Sequence, residues 1–224
     1  MTRETSFDDV VPPSDVAERE RELARLLELA GTGHRPEPPG QWAARPGAGL
    51  LFSAPHEATQ DRDGTRKSAE RGTAPLAFAL AAHVGGAALG TVEGRLVGDP
   101  NWDVGHPYVS RAHELAAGHP TIDLHMMRPR GVEVCVGLGP RPELAGGLWQ
   151  VIVEEAVAGG LRASVNWPFG ANPRTVTGQL QDKGLPAVQV ELSWDCFDPG
   201  HPAMPRAWSA LARAATRLTA AKRA

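Results

Sequence analysis

The sequence predicts an α/β protein, a three-layer α/β/α sandwich around a central mixed, mostly parallel sheet. Three observations carry that expectation. Short apolar runs alternate with longer stretches of helical periodicity, the pattern left by strand–helix–strand units. Runs such as "GLLFSAPH" and "TIDLHMM" are apolar with little alternation, as strands covered on both faces are. Three of the runs end on or carry His56, His125 and Glu191, and sheets of this class bind ligands beyond the carboxyl ends of their strands.

Taken in order, "SDVAERERELARLLELA" (14–30) reads as a helix. Ser14 or Asp15 can cap it, and Val16, Leu23, Leu26, Leu27 and Leu29 form its apolar stripe. The following "GTGHRPEPPGQWAARPGAG" (31–49) is rich in Gly and Pro and reads as a linker or surface-hugging loop. Residues 1–47 are therefore expected to form an N-terminal extension, and residues 48–224 the α/β domain. Within that domain, "GLLFSAPH" is a strand ending on His56, "APLAFALAAHV" a buried helix, and "GAALGTVEG" a candidate strand. "PYVSRAHELAAG" is an amphipathic helix stopped at Gly118, and the strand after it ends on His125. "GVEVCVGLG" alternates as a strand, "PELAGGLWQVIVEEAVAGG" is a helix closed by paired glycines, and "LRASVN" is a strand. A short helix at "TVTGQLQDKG" and the strand "PAVQVELSW" lead to a last helix, "PRAWSALARAATRLTAAKRA". That helix has Pro at its start and basic residues at its end, as the helix dipole favours.

Composition narrows the function classes. A chain of 224 residues with 42% hydrophobic and 22% charged residues has an ordinary globular balance. The net charge of -3 points away from nucleic acid and anionic membranes as main partners. Only two cysteines, Cys135 and Cys196, are present, so neither a disulfide framework nor a thiolate metal site is expected. The N-terminus lacks an apolar core and no run approaches the roughly 20 apolar residues of a membrane span. A cytoplasmic location is the expectation, and the N-terminal helix could serve a homo-oligomer.

The chemistry concentrates at three positions. A histidine at a strand end is commonly a hydrogen-bonded structural residue, but Glu191 is harder to explain that way. Strand alternation puts it on the face of Gln189, while Val188, Val190 and Leu192 point the other way. A buried carboxylate calls for a cation, a metal or a site. Two imidazoles and a carboxylate form a common catalytic zinc set, and a separate Glu can move protons beside it. His56, Glu70, His125 and Glu191 supply those parts, although Glu57, Asp61 and Asp63 are alternatives to Glu70. Asp123 can orient the His125 ring. Arg128, Arg130 and Arg174 are candidate readers of a substrate carboxylate. "GDPNWD" (98–103) reads as a turn whose side chains cap backbone amides, or as a pocket wall.

The order of "SAPHEATQDRDGTRKSAERGT", "GDPNWDVGHPY", "TIDLHMM", "NWPF" and "LPAVQVELSW" resembles the N-formylglutamate amidohydrolase family. "ERGT" is also similar to a motif of poly-γ-glutamate hydrolases. The resemblance covers roughly residues 49–195 and implies a zinc carboxypeptidase-like fold. It implies Zn2+ held by His56, Glu70 and His125, with Glu191 as general base and acid. It further implies an amide substrate that is a small N-acyl amino acid or a γ-glutamyl or peptide-like compound bearing a carboxylate. Asn166, Arg128, Arg130 and Arg174 would contact that substrate, and Asp123 and Gln189 would support the site. Trp167 stands where that family usually has Arg. The alternatives are a non-catalytic metal- or ligand-binding scaffold of the same fold, or a zinc esterase acting on a specialised metabolite.

Overall fold

The computed structural model describes residues 35–37, 42–91 and 95–221; the helix expected over 14–30 lies outside them. The main sheet contains β1 (Arg35–Glu37), β2 (Trp42–Arg45), β3 (Leu51–Ala54), β6 (Ala87–Thr91), β8 (Thr121–Met127), β9 (Val134–Gly137), β10 (Ala163–Val165) and β11 (Ala187–Ser193). Its order is β1-β2-β6-β3-β8-β11-β9-β10. The centre, from β6 through β3 and β8 to β11, is parallel. Antiparallel pairs join β1 to β2, β2 to β6 and β9 to β11. A second, three-stranded sheet consists of β4 (Thr59–Arg62), β5 (Thr65–Lys67) and β7 (Arg95–Leu96).

Among the described residues, five helices complete the layers: α1 (Thr73–Val84), α2 (Pro107–Ala116), α3 (Leu148–Ala158), α4 (Val176–Asp182) and α5 (Ala203–Ala220). The larger core joins α1, α3 and α5 to Phe52, Ile122, Leu124, Val188, Val190 and Leu192 on one sheet face. The smaller joins α2 and α4 to Leu51, Ala87, Leu89 and Ala187 on the other. The expected mixed α/β/α sandwich is the observed fold.

The second face is where the site forms. Period-2 alternation puts Asp123, His125, Gln189 and Glu191 on the side opposite Ile122, Leu124, Val188 and Val190. Alpha4 is only seven residues long, and its core contacts lie at the start of β11, at Ala187. The carboxyl-terminal halves of β8 and β11 are thus left for polar chemistry.

Several elements differ from the sequence reading. Trp42–Arg45 and Arg35–Glu37 are strands in the sheet, although their Gly/Pro-rich surroundings read as a linker. The loop after His56 contains a hairpin between β4 and β5. Its turn residues Asp63 (φ 49) and Gly64 (φ 73) are both left-handed, which is what a tight hairpin turn demands and Asp-Gly supplies. The helix expected from Pro142 starts instead at Leu148, after a single 3-10 turn over Pro142–Ala145 and the break at Gly146 and Gly147.

Tyr108 ties α2 to the strand that presents His56. Its buried hydroxyl donates to the Leu89 carbonyl at 2.8 Å, accepts from the Ala54 N–H at 3.1 Å, and lies 3.1 Å from Ser53 Oγ. Burial is the main cause that pushes this phenol well above its ordinary pKa. Tyr108→Phe strands the Ala54 N–H, a loss of about 1–3 kcal/mol. A fall in Tm of roughly 5 °C is expected in thermal unfolding followed by circular dichroism.

Candidate metal centre

His56 lies two residues beyond β3, and His125 is the fifth residue of β8. Because β3 and β8 are parallel neighbours, their ends bring the two rings to a centroid separation of 4.9 Å. Glu70 reaches them from the turn before α1. Its Oε1 is 3.0 Å from His56 Nδ1 and its Oε2 is 3.0 Å from His125 Nδ1. The Met126 N–H also donates to Oε2 at 3.0 Å. One ligand atom from each of the three lies within 4.8 Å of the others.

The alternative carboxylates are engaged elsewhere. Glu57 is buried, and its Oε2 accepts from the Gly72 and Ala74 N–H groups at 2.9 and 3.0 Å. It caps the first turn of α1 and so holds the turn that presents Glu70. Burial pushes its carboxyl up, against those hydrogen bonds. Asp63 accepts from Trp102 Nε1 at 2.6 Å, and Asp61 sits on β4.

The outer nitrogens of both rings face acids. His56 Nε2 is 2.9 Å from Asp99 Oδ1, while Asp99 Oδ2 receives Arg62 Nε at 2.8 Å. His125 Nε2 is 3.2 Å from Asp123 Oδ2 and 3.1 Å from Asn101 Nδ2. The Asn101 amide is oriented by the Val176 N–H, which donates to its Oδ1 at 2.7 Å. With Nε2–H directed at a carboxylate, each ring turns its Nδ1 toward Glu70, donating to it while the ring is protonated and free to offer a lone pair once that proton is lost. That is the backing that metal-binding imidazoles generally have. Two such rings and a carboxylate fit a divalent ion in number and type of ligand. On the same sheet face, Asp123 Oδ1 and Gln189 Oε1 are buried without a protein partner.

Without an ion, the cluster holds protons. Burial alone would push His56 down, but Glu70 and Asp99 outweigh it and raise its pKa to about 9. His125 is also raised well above its ordinary value: burial opposes the charge, and Asp123 and Glu70 overcome it. Glu70 is driven well below the carboxylate range, because the two imidazoles overcome its burial.

Glu191 lies beside this group, in register with His125 on β8 and with Cys135 on β9. It is 9% exposed, and Gln189 Nε2 donates to its Oε1 at 2.7 Å. Burial is the main cause that lifts its pKa to about 7, with the Glu70 charge adding to it.

The arginines and Asn166 make their contacts outside this cluster. Arg128 is exposed, with Cζ 5.6 Å from the Trp194 ring, and Arg130 is exposed on the loop that follows β8. Arg174 is exposed with Cζ 4.6 Å from the Trp102 ring. Asn166 Oδ1 accepts from the Leu138 N–H at 2.9 Å, so this side chain shapes its own loop.

Asp99 and Asn101 were not among the expected site residues. The turn "GDPNWD" does cap itself, with the Asn101 N–H on Asp99 Oδ1 at 2.8 Å, and the same side chains also reach the two histidines. Asp99→Asn keeps the size and removes the charge behind His56. It is expected to weaken zinc affinity by roughly 10–100-fold, read by competition with a chromophoric chelator, while the far-ultraviolet circular dichroism stays as in the parent.

A three-layer α/β/α sandwich with a histidine–glutamate–histidine cluster gathered beyond its central parallel strands is thus the class that fold and site define. Its structural neighbours include N-formylglutamate amidohydrolase from Ralstonia eutropha JMP134, with a TM-score of 0.58, 14% identity, and coverage of 82% of this chain and 98% of that one. A bacteriophage poly-γ-glutamate hydrolase matches with a TM-score of 0.54 and 16% identity over 82% of this chain and 90% of its own. A gene product of Agrobacterium tumefaciens matches with a TM-score of 0.54 and 15% identity over 82% and 96%. At these identities the likeness is one of fold. No protein-family model and no curated protein matches the sequence.

Proposed function

We propose that the protein is a zinc-dependent hydrolase that cleaves the C–N amide bond of a small carboxylate-bearing N-acyl amino acid or γ-glutamyl compound. The observation that carries this reading is the convergence of His56, Glu70 and His125 within 4.8 Å, each ring backed by an acid. His56 Nδ1, His125 Nδ1 and a Glu70 oxygen would hold the ion. Bound there, zinc supplies a Lewis acid for the acyl oxygen and acidifies a water.

The protein's own groups do the rest. Glu191 accepts a proton from the attacking water and delivers it to the leaving nitrogen, so that the amine departs neutral. Its elevated pKa suits both halves of that exchange, because the group can hold and release a proton near neutral pH. Gln189 anchors one Glu191 oxygen and leaves the other available. Asp99 and Asp123 keep the imidazoles in one tautomer, and Arg128 or Arg174 reads the substrate carboxylate.

A panel of N-acyl amino acids and γ-glutamyl amides, assayed with metal-free and zinc-loaded protein, tests the proposal. Zinc-dependent release of free amine from at least one member is expected. Absence of hydrolysis across the panel, with zinc bound stoichiometrically, would replace it with a metal-binding scaffold.

A further inference from the structure

The loop over residues 166–171 lies on the site face of the sheet, one strand away from Glu191. Cys135 on β9 is in register with Glu191, and its thiol donates to the Phe169 carbonyl at 3.1 Å. The loop is anchored at several points. The Asn166 N–H donates to the Val136 carbonyl at 2.9 Å, and the Ser164 hydroxyl donates to the Trp167 carbonyl. Asn166 adopts a left-handed conformation, φ 55, and its side chain accepts from the Leu138 N–H. Packing is so close that a Cβ on Gly137 would sit 2.7 Å from the Ala171 nitrogen.

Despite this anchoring, Trp167 is 58% and Phe169 38% exposed. Two large aromatic side chains left in water on a fixed loop form a surface that gains by being covered. From Ala163 to Pro173 the chain carries no charged residue, so nothing there attracts an ionic group. The next residue, Arg174, lies over Trp102, beside the Asn101 that reaches His125. One segment therefore offers aromatic rings at one end, where the Phe169 carbonyl meets the Cys135 thiol in register with Glu191, and a guanidinium at the other, over the Trp102 that follows Asn101. A molecule that satisfies both is amphiphilic: a carboxylate for Arg174 and an apolar ring for Trp167 and Phe169.

We infer that Trp167 and Phe169 form a subsite for a ring-sized, apolar acyl group, so the substrate is an aryl-acyl amino acid rather than a formyl compound. This inference rests on the hydrolase reading above, but binding can be measured without turnover. Zinc-loaded Glu191→Gln protein is titrated calorimetrically with N-phenylacetyl-L-glutamate and with N-formyl-L-glutamate. The phenylacetyl compound is expected to bind on the order of tenfold or more tightly, the scale of removing part of a ring from water against aromatic side chains. That preference is expected to collapse when Trp167→Ala is added and to persist with Trp167→Phe. Equal affinity for the two probes, no measurable binding of the phenylacetyl compound, or a preference that survives Trp167→Ala overturns the inference. Turnover by the unsubstituted enzyme is scored separately. A binding preference with no hydrolysis of these compounds or of the panel above refutes the hydrolase reading and leaves the subsite standing.

Discussion

Replacement of Glu191 by Gln is expected to lower turnover by about three orders of magnitude while zinc remains bound. The side chain keeps its size and its hydrogen bond to Gln189, but it loses the ability to take and return a proton, a function worth 10²–10⁴-fold. Wild-type turnover in this variant, with metal content verified, sinks the assigned role. The same substitution should move stability in the opposite direction. In the metal-free protein the Glu191 pKa stands at about 7, above its ordinary 4.5, chiefly because burial disfavours the charge. Folding is therefore unpenalised below the ordinary value, increasingly penalised as pH rises between the two, and fully penalised above about 7. Metal-free Glu191→Gln should accordingly melt higher than wild type at pH 8, and the difference should vanish by pH 4. A gain in stability upon loss of a group is a mark of a functional position.

Removal of the metal is expected to abolish amide hydrolysis and to lower the melting temperature. Zinc at about 100-fold above its dissociation constant contributes roughly 2.7 kcal/mol to a fold that alone assembles the site. For a chain of this size that is a shift of about 5–10 °C. The shift should also depend on pH. Without metal, His56 keeps its proton to about pH 9 and His125 is raised as well, so zinc must displace protons to bind. The zinc-induced increase in Tm should grow from pH 6 to pH 8, and uptake in weak buffer should acidify the solution. A shift that shrinks over that range would contradict the two imidazoles as ligands.

Much of this arrangement was legible in the chain. The strands that carry His56 just beyond β3 and His125 within β8 announced themselves because parallel strands in the middle of a sheet are largely apolar, so a histidine in or after them stands out. Glu191 was legible from alternation, since a carboxylate in phase with Gln189 and out of phase with three aliphatic residues has to be accommodated. What escaped has physical causes too. The strands around Pro36 and Trp42 lack both alternation and β-branched residues; β2 is placed by β6, a partner more than 40 positions away, and β1 follows by pairing with β2. Asp99 and Asn101 read as self-capping turn residues, and they are. That they also reach His56 and His125 follows from a juxtaposition that local sequence does not encode. The Asp63–Gly64 hairpin could have been read, because that dipeptide is a strong two-residue turn signal.

The placement of β8 between β3 and β11 has a kinetic consequence. His56, His125 and Glu191 come from segments that meet only after two long chain closures, and such contacts are the slow ones in folding. No early fragment can gather the three. In refolding experiments, competence to take up zinc should appear with the final sheet-wide phase and not with the helices, so the ion reports on completion of the fold instead of nucleating it.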